Sequence, residues 1–320
     1  MLVSLAACHN GTNNEAGQEA ATQAVSNVQV PSFNADSAYA YAATQVGFGP
    51  RIPNSPSQEK CAAWLISSMQ SWADSVTVQR TTVTGDQQKQ YRCINIIAHF
   101  NPQAKTRTLL LAHWDTRPTA DGDSSTRNKT FDGADDGASG VAVLLEAARQ
   151  LHQQKPAIGV DMLLTDVEDA GVEGNDNSWG LGTQYWSRQA KAAGYRAQYG
   201  ILLDMVGGAG SHFYMESTTR QYAGAQAKMV WDQANTIGYS DYFRYDNLNG
   251  TGITDDHVFV NQLLGVPTLD IVALRPNQPD GNIFPPWHHT INDNMKIIDK
   301  NTLKAVGQTV LQVIYTNPAY

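Results

Sequence analysis

The residues whose types could do chemistry fall in short polar clusters, most of them directly behind an apolar run. His113-Trp114-Asp115 follows Leu109–Ala112, and the loop Asp132-Gly133-Ala134-Asp135-Asp136-Gly137-Ala138-Ser139-Gly140 comes next. Asp166-Val167-Glu168-Asp169 closes a run from Val160, and Asp204-Met205-Val206-Gly207-Gly208 closes one from Ile201. Thr254-Asp255-Asp256-His257 and Trp287-His288-His289-Thr290 lie late in the chain. Taken singly, each has an ordinary reading as a turn, a plain loop, a surface pair, or an acidic first helical turn that complements the helix dipole. Taken together, they put carboxylates and imidazoles in one place, where they would repel and be costly to desolvate. A divalent cation removes that cost. Asp, Glu and His in a tetrahedral set suit zinc, and a catalytic site keeps one position open, so three protein ligands are expected. The glycines flanking Asp136 let its loop turn tightly.

Such residues need a frame. Helical spacing is read over 36–48 and 57–74, where Ala62, Leu65, Ile66 and Met69 could share a face. Val76–Val83 and Tyr91–Phe100 read as strands around a Gly-Asp turn, and Leu109–Ala112 as a buried central strand. A helix over Val141–Leu151 precedes strands at Val160–Val167 and Gly200–Val206, with an edge strand at Phe213–Glu216. A helix over Gln221–Ile237, a strand over Val266–Ala273 and a helix over Asn301–Tyr315 complete the pattern. Alternating strands and helices predict an α/β fold of three α/β/α layers around a mixed, largely parallel, twisted sheet. In such sheets ligands bind beyond the carboxyl ends of the strands, where these clusters fall.

Composition sets the bounds. Of 320 residues, 42% are hydrophobic and 16% charged, enough for one large core. The net charge of −8, with basic residues scattered, argues against nucleic-acid binding, which needs a basic face. Residues 1–8 end in Leu-Ala-Ala-Cys, which resembles the lipobox of bacterial lipoproteins and points to a lipid anchor at Cys8 on the periplasmic side of a bacterial envelope. Residues 9–34, rich in Asn, Gln, Ala, Gly and Thr toward their start, read as a flexible tether, and 35–320 as one catalytic domain. Cys61 and Cys93 could form one disulfide or stay as two buried thiols. No apolar run approaches the roughly 20 residues of a membrane-spanning helix.

The pattern His113-x-Asp115, Gly133-Ala134-x-Asp136, Glu168-Asp169, Asp204 and His289-Thr290 resembles the zinc aminopeptidase-like fold. Within it, the chain is most similar to the glutaminyl-peptide cyclotransferases, or glutaminyl cyclases, in their bacterial forms of the animal type. Leu202–Gly207, then Asp255-Asp256-His257 with Gly265-Val266-Pro267, then Phe284-Pro285 with His289-Thr290 carry that similarity, which spans roughly residues 35–318. The resemblance implies one zinc held by Asp136, Asp169 and His289. Asp169 departs from the Glu of the animal enzymes by one methylene, so its backbone must sit closer to the metal. Glu168 matches the general acid/base, and Asp204 and Asp255 the carboxylates that share a proton beside it. Phe284 matches a pocket aromatic. Trp287, Trp114 and Trp179 are weaker candidates for the pocket wall.

The implied reaction converts the N-terminal glutamine of a peptide or protein into pyroglutamate with release of ammonia, by a chain that is expected to be a monomer. The first rival is a two-zinc aminopeptidase, with His113 and Asp204 on a second ion roughly 3.5–4 Å from the first and Asp136 bridging. The second is a non-catalytic binding lipoprotein, against which the intact acid/base Glu168 argues.

Overall fold

The computed structural model describes Met1 and residues 28–246, 252–279 and 281–316. Cys8 and the first part of the tether lie outside the described residues. In chain order the elements are α1 (Ala35–Gly47), α2 (Pro56–Trp72), β1 (Ser75–Thr84), β2 (Gln90–Phe100), β3 (Arg107–His113), α3 (Ala138–Gln153), β4 (Gly159–Thr165), α4 (Leu181–Ala192) and β5 (Gly200–Asp204). They continue as β6 (Phe213–Tyr214), α5 (Ser217–Thr236), β7 (Phe243–Arg244), α6 (Asp256–Phe259), β8 (Thr268–Val272) and α7 (Lys300–Thr316).

Six strands form one sheet in the order β1-β2-β4-β3-β5-β8. The four strands β4, β3, β5 and β8 run parallel, while β2 is antiparallel to both β1 and β4. The expected mixed, largely parallel sheet is therefore present. Its central strands are apolar throughout because both faces are covered. Leu110, Ala112, Met162, Leu164, Ile201 and Leu203 face the layer that includes α3 and α7. Leu109, Leu111, Leu163 and Leu202 face the other way, onto Trp186 and Ala190 of α4 and Val260 and Leu264 beyond α6.

The structure departs from the sequence reading in several places: β6, expected as an edge strand, pairs with β7 in a separate two-stranded sheet, and neither β7 nor α6 was expected. Helix α4 was not expected either. Its inward face is made of Leu181, Trp186 and Ala190 interleaved with buried Gly182, Thr183 and Ser187, so the periodic large apolar residues that signal a helix are missing. The folded body also begins before residue 35. Phe33 is buried with its N–H donated to Gln308 Oε1, and Asn34 caps α1 by accepting from the Ser37 N–H. Cys61 and Cys93 are buried free thiols, and burial pushes the Cys61 thiol up to about 12.

Polar loops leave the carboxyl ends of β3, β4 and β5 at one rim. Helix α3 is seated on that rim through Gly140, where a Cβ would lie 2.2 Å from the Leu203 carbonyl oxygen. Gly140→Ala should therefore destabilise the protein by about 1–3 kcal/mol through overpacking. An unchanged denaturant midpoint would show that α3 can shift off β5 freely.

Candidate active site

The rim collects its side chains from three strand ends and two later loops. His113 and Asp204 are the last residues of β3 and β5, and Glu168 and Asp169 follow β4. Asp136 sits just before α3, in the turn made at Gly137 (φ +99°). Asp255 caps α6, and His289 lies in the long loop between β8 and α7.

The three residues expected to hold metal meet. His289 Nε2 is 3.2 Å from Asp169 Oδ1 and 3.4 Å from Asp136 Oδ2. Donors about 2.0–2.2 Å from a tetrahedral ion stand roughly 3.3–3.6 Å from one another, so this set fits such an ion. Asp169 Oδ2 is buried and has no hydrogen-bond partner among the described residues, which leaves it free to accept a cation. Asp136 turns its other oxygen away, with Oδ1 3.1 Å from His113 Nε2, which is also 3.3 Å from Asp204 Oδ1. His113, Asp136 and Asp204 thus make a second donor group around the same bridging carboxylate.

Electrostatics follow from the crowding. Burial resists it, but the His113 hydrogen bond and the His289 charge hold Asp136 below the usual carboxylate range. Burial raises Asp169, with the Asp136 charge adding to it against the pull of His289. Burial and the neighbouring Asp255 charge push Glu168 well up, and burial with Asp204 and Asp256 does the same to Asp255. Asp204 is raised by burial and by Asp136. Glu168, Asp255 and Asp256 lie close enough for oxygens from all three to fall within 4.8 Å of one another. Carboxylates packed this way cannot all ionise cheaply.

Two residues outside the expected site hold these groups by their backbones. Asp115 accepts from the N–H of Glu168 at 3.1 Å and of Asp169 at 3.2 Å. Asp293 accepts from the N–H of Asp135 at 2.7 Å and of Asp136 at 3.1 Å. Asp115 stands in the His-x-Asp motif, but Asp293 has no motif to mark it. Strain marks the site as well. Val167, Met205 and His289 all have positive φ, at 59°, 47° and 54°, the first a β-branched residue for which this is unusual.

A cavity of about 200 Å³ opens over these residues, with Glu168, Asp169, Asp136, Asp204 and Asp255 among its lining. Trp179 and Phe284 line it as expected. They bracket a continuous stack: Phe284 lies on His288 at 4.3 Å, His288 on His289 at 3.6 Å, and His289 parallel to Trp179 at 6.3 Å between ring centroids. His288 is thus the spacer of the stack and His289 the ring that meets Asp136 and Asp169. Burial and the His289 charge lower the His288 imidazole well below its ordinary value. The other two tryptophans do not line this cavity. Trp114 is fully buried, its indole N–H donated to the Ile94 carbonyl, because it follows a core strand inward. Trp287 donates to Asp135 Oδ2 at 2.8 Å and braces the Asp136 loop from behind.

Residues 95–314 match the sequence profile of peptidase family M28. The chain belongs to that family. A glutaminyl cyclase from Bacteroides thetaiotaomicron, solved with N-acetylhistamine bound, is 45% identical over 90% of this chain and 99% of its own, with a TM-score of 0.85. A structure from the same organism described as a leucine aminopeptidase precursor is 44% identical over the same shares, also at a TM-score of 0.85. The glutaminyl-peptide cyclotransferase of Gloydius blomhoffii is 27% identical over 297 residues, 82% of this chain and 76% of that protein. The M28 fold is the zinc aminopeptidase-like α/β architecture expected from the sequence.

Asp115→Ala should leave the Glu168 and Asp169 amides without their acceptor, at about 1–3 kcal/mol each if they stay buried. Metal affinity should fall about 10–100-fold. Bound metal measured by elemental analysis checks this, and full occupancy at wild-type affinity would contradict the role given to Asp115.

Proposed function

We infer that this protein is a glutaminyl-peptide cyclotransferase, closing the N-terminal glutamine of peptides and proteins to pyroglutamate with release of ammonia. The observation that carries the reading is the buried Glu168, packed beside Asp255, in an aromatic-walled cavity with Asp136, Asp169 and His289. The relatives named as cyclases, one of them 45% identical, support it.

We propose one zinc at Asp136, Asp169 and His289. When bound there, zinc supplies the positive charge that polarises the substrate γ-carbonyl and steadies the negative oxygen as it forms. Everything else falls to side chains of the chain. The attacking group is the α-amine of the same glutamine, so it must be neutral and folded back on the side chain. Glu168, made more basic by burial, accepts the proton as the amine attacks and returns it to the departing ammonia. Asp255 and Asp204 share a proton and so fix which Glu168 oxygen faces the substrate. Trp179 and Phe284 hold the bent glutamine between aromatic faces and keep out the water that would give plain deamidation.

The aminopeptidase reading has one specific observation in its favour, the second donor group His113, Asp136 and Asp204. Metal count separates the two: one zinc per chain for cyclisation, two for peptide hydrolysis.

A Gln-initiated peptide should release ammonia with the purified protein and cease to do so after chelation. Glu168→Gln should lower kcat by about 10²–10⁴-fold with zinc retained. A free N-terminal amino acid as the product, or a Glu168→Gln variant with full turnover, would sink the assignment.

We further propose that the protein is held to the periplasmic face of a bacterial envelope through a lipid on Cys8, on the strength of Leu5-Ala6-Ala7-Cys8. Cys8→Ser should move the enzyme from the membrane fraction to the soluble fraction; wild-type protein already found soluble would refute the anchor.

A further inference from the structure

The loop after β3 runs through Arg117 to Gly122 and grips two of the three proposed ligands from outside the cavity. Arg117 is buried, yet neither it nor Asp121 lines the cavity. Its guanidinium is divided between two sets of partners. Nε donates to Asp121 Oδ1 at 2.7 Å, and one terminal nitrogen donates to Asp121 Oδ2 at 2.6 Å. The other terminal nitrogen donates to the carbonyls of Asp169 at 3.2 Å and Gly171 at 3.1 Å, and stands 3.5 Å from Asp169 Oδ1.

The same loop reaches the His289 segment. The Gly122 N–H donates to the His289 carbonyl at 2.9 Å, and a Cβ at Gly122 would lie 2.6 Å from the His288 carbonyl oxygen. Asp121 Oδ1 faces His289 Nδ1 at 3.8 Å, while the other ring nitrogen of His289 meets Asp136 and Asp169. Trp179 is drawn in as well. The Arg117 guanidinium lies 4.9 Å over its ring, and Gly171 packs so close to it that a Cβ there would lie 2.1 Å from the indole.

Stability is a weak reason for this arrangement. The Asp121 side chain is 38% exposed, and ion pairs of that kind add little, whereas desolvating a guanidinium is costly. What the pair provides is geometry. Asp169 has a short side chain, so its carboxylate meets the His289 imidazole only while the backbone after β4 stays close. Asp115 holds the N–H of Asp169 and Arg117 holds its carbonyl, which pins the residue on both sides. A planar guanidinium can meet a carboxylate along one edge and carbonyls along another, which a lysine ammonium cannot do.

We propose that Arg117 and Asp121 are positioning residues for the metal site. Arg117 keeps the backbone of the short ligand Asp169 within reach of the ion, and Asp121, fixed by Arg117, orients His289 from its Nδ1 side. The proposal rests on the zinc site at Asp136, Asp169 and His289 and is independent of what that zinc is used for.

The test is the zinc dissociation constant of the full-length protein, stripped with a chelator and titrated with zinc against a chromophoric competitor. The melting temperature of the metal-free form is measured alongside. Arg117→Met should weaken zinc binding about 10–100-fold, the usual effect of losing an outer partner of a ligand. Arg117→Lys should recover little of that loss. Asp121→Asn should weaken binding about 10-fold, the lower end of the same range. The signature is non-additivity with Asp169→Glu. In the wild-type chain the longer carboxylate is forced into a site set for Asp and should weaken binding. In Arg117→Met the freed backbone can withdraw, so adding Asp169→Glu should regain affinity. Losses that multiply in the double variant, as for independent sites, would overturn the proposal. Wild-type zinc affinity in a folded Arg117→Met protein would overturn it too, and a lowered melting temperature beside that affinity would make the pair merely structural. Should Arg117→Met fail to fold, wild-type affinity in Asp121→Asn overturns it instead. A wild-type protein that binds no zinc fails on the prior reading and is told apart by that control.

Discussion

The structure is organised by one constraint: carboxylates from distant parts of the chain are buried together at one rim of one sheet. Left alone they would cost several kcal/mol each to desolvate and would repel one another. The fold meets that cost in three ways. Backbone N–H groups are held by Asp115 and Asp293, which fix the two acidic segments rather than the side chains themselves. Imidazoles of His113 and His289 sit on either side of Asp136. The negative charge that remains is what makes the zinc proposed at Asp136, Asp169 and His289, and the proton proposed between Asp255 and Asp204, physically reasonable.

Holding that arrangement takes rigidity, and the molecule shows where it comes from. Val167 and Met205, each at a strand exit, carry left-handed backbone that only a surrounding packed core would maintain, as does His289 in its loop. The Phe284–His288–His289–Trp179 stack then clamps the imidazole in plane, and Arg117, 4.9 Å over Trp179, donates to the Asp169 carbonyl at 3.2 Å. Cavity wall and donor group are therefore one mechanical unit, so the same contacts that shape the cavity orient Asp169 and His289 beneath it.

Relatives with near-equal identity carry cyclase and peptidase descriptions, and the donor atoms explain why. Both chemistries need a Lewis acid beside a buried Glu. They diverge in what attacks the carbonyl: a metal-activated water in one, the substrate's own amine in the other. A small cavity between Trp179 and Phe284 with carboxylates packed around Glu168 suits the second, in which the nucleophile must be held in place against its own carbonyl.

Much of this was legible in the amino-acid sequence. Apolar runs Leu109–Ala112 and Ile201–Leu203 read as strands covered on both faces, which puts the polar residues directly behind them at one rim. The fold class and the position of the acidic pair Glu168-Asp169 at a strand exit follow from such placement, whereas the ligand set Asp136, Asp169 and His289 came from the family resemblance. The sequence could not decide which aromatics face the cavity. Trp114, Trp179 and Trp287 are equivalent by type, and only the tertiary packing sends one to the core, one to the wall and one behind the Asp136 loop. Helix α4 was hidden because small residues carry its buried face. Asp293 was hidden because its role lies in contacts with residues far along the chain, and local pattern records only what neighbours in sequence do to one another.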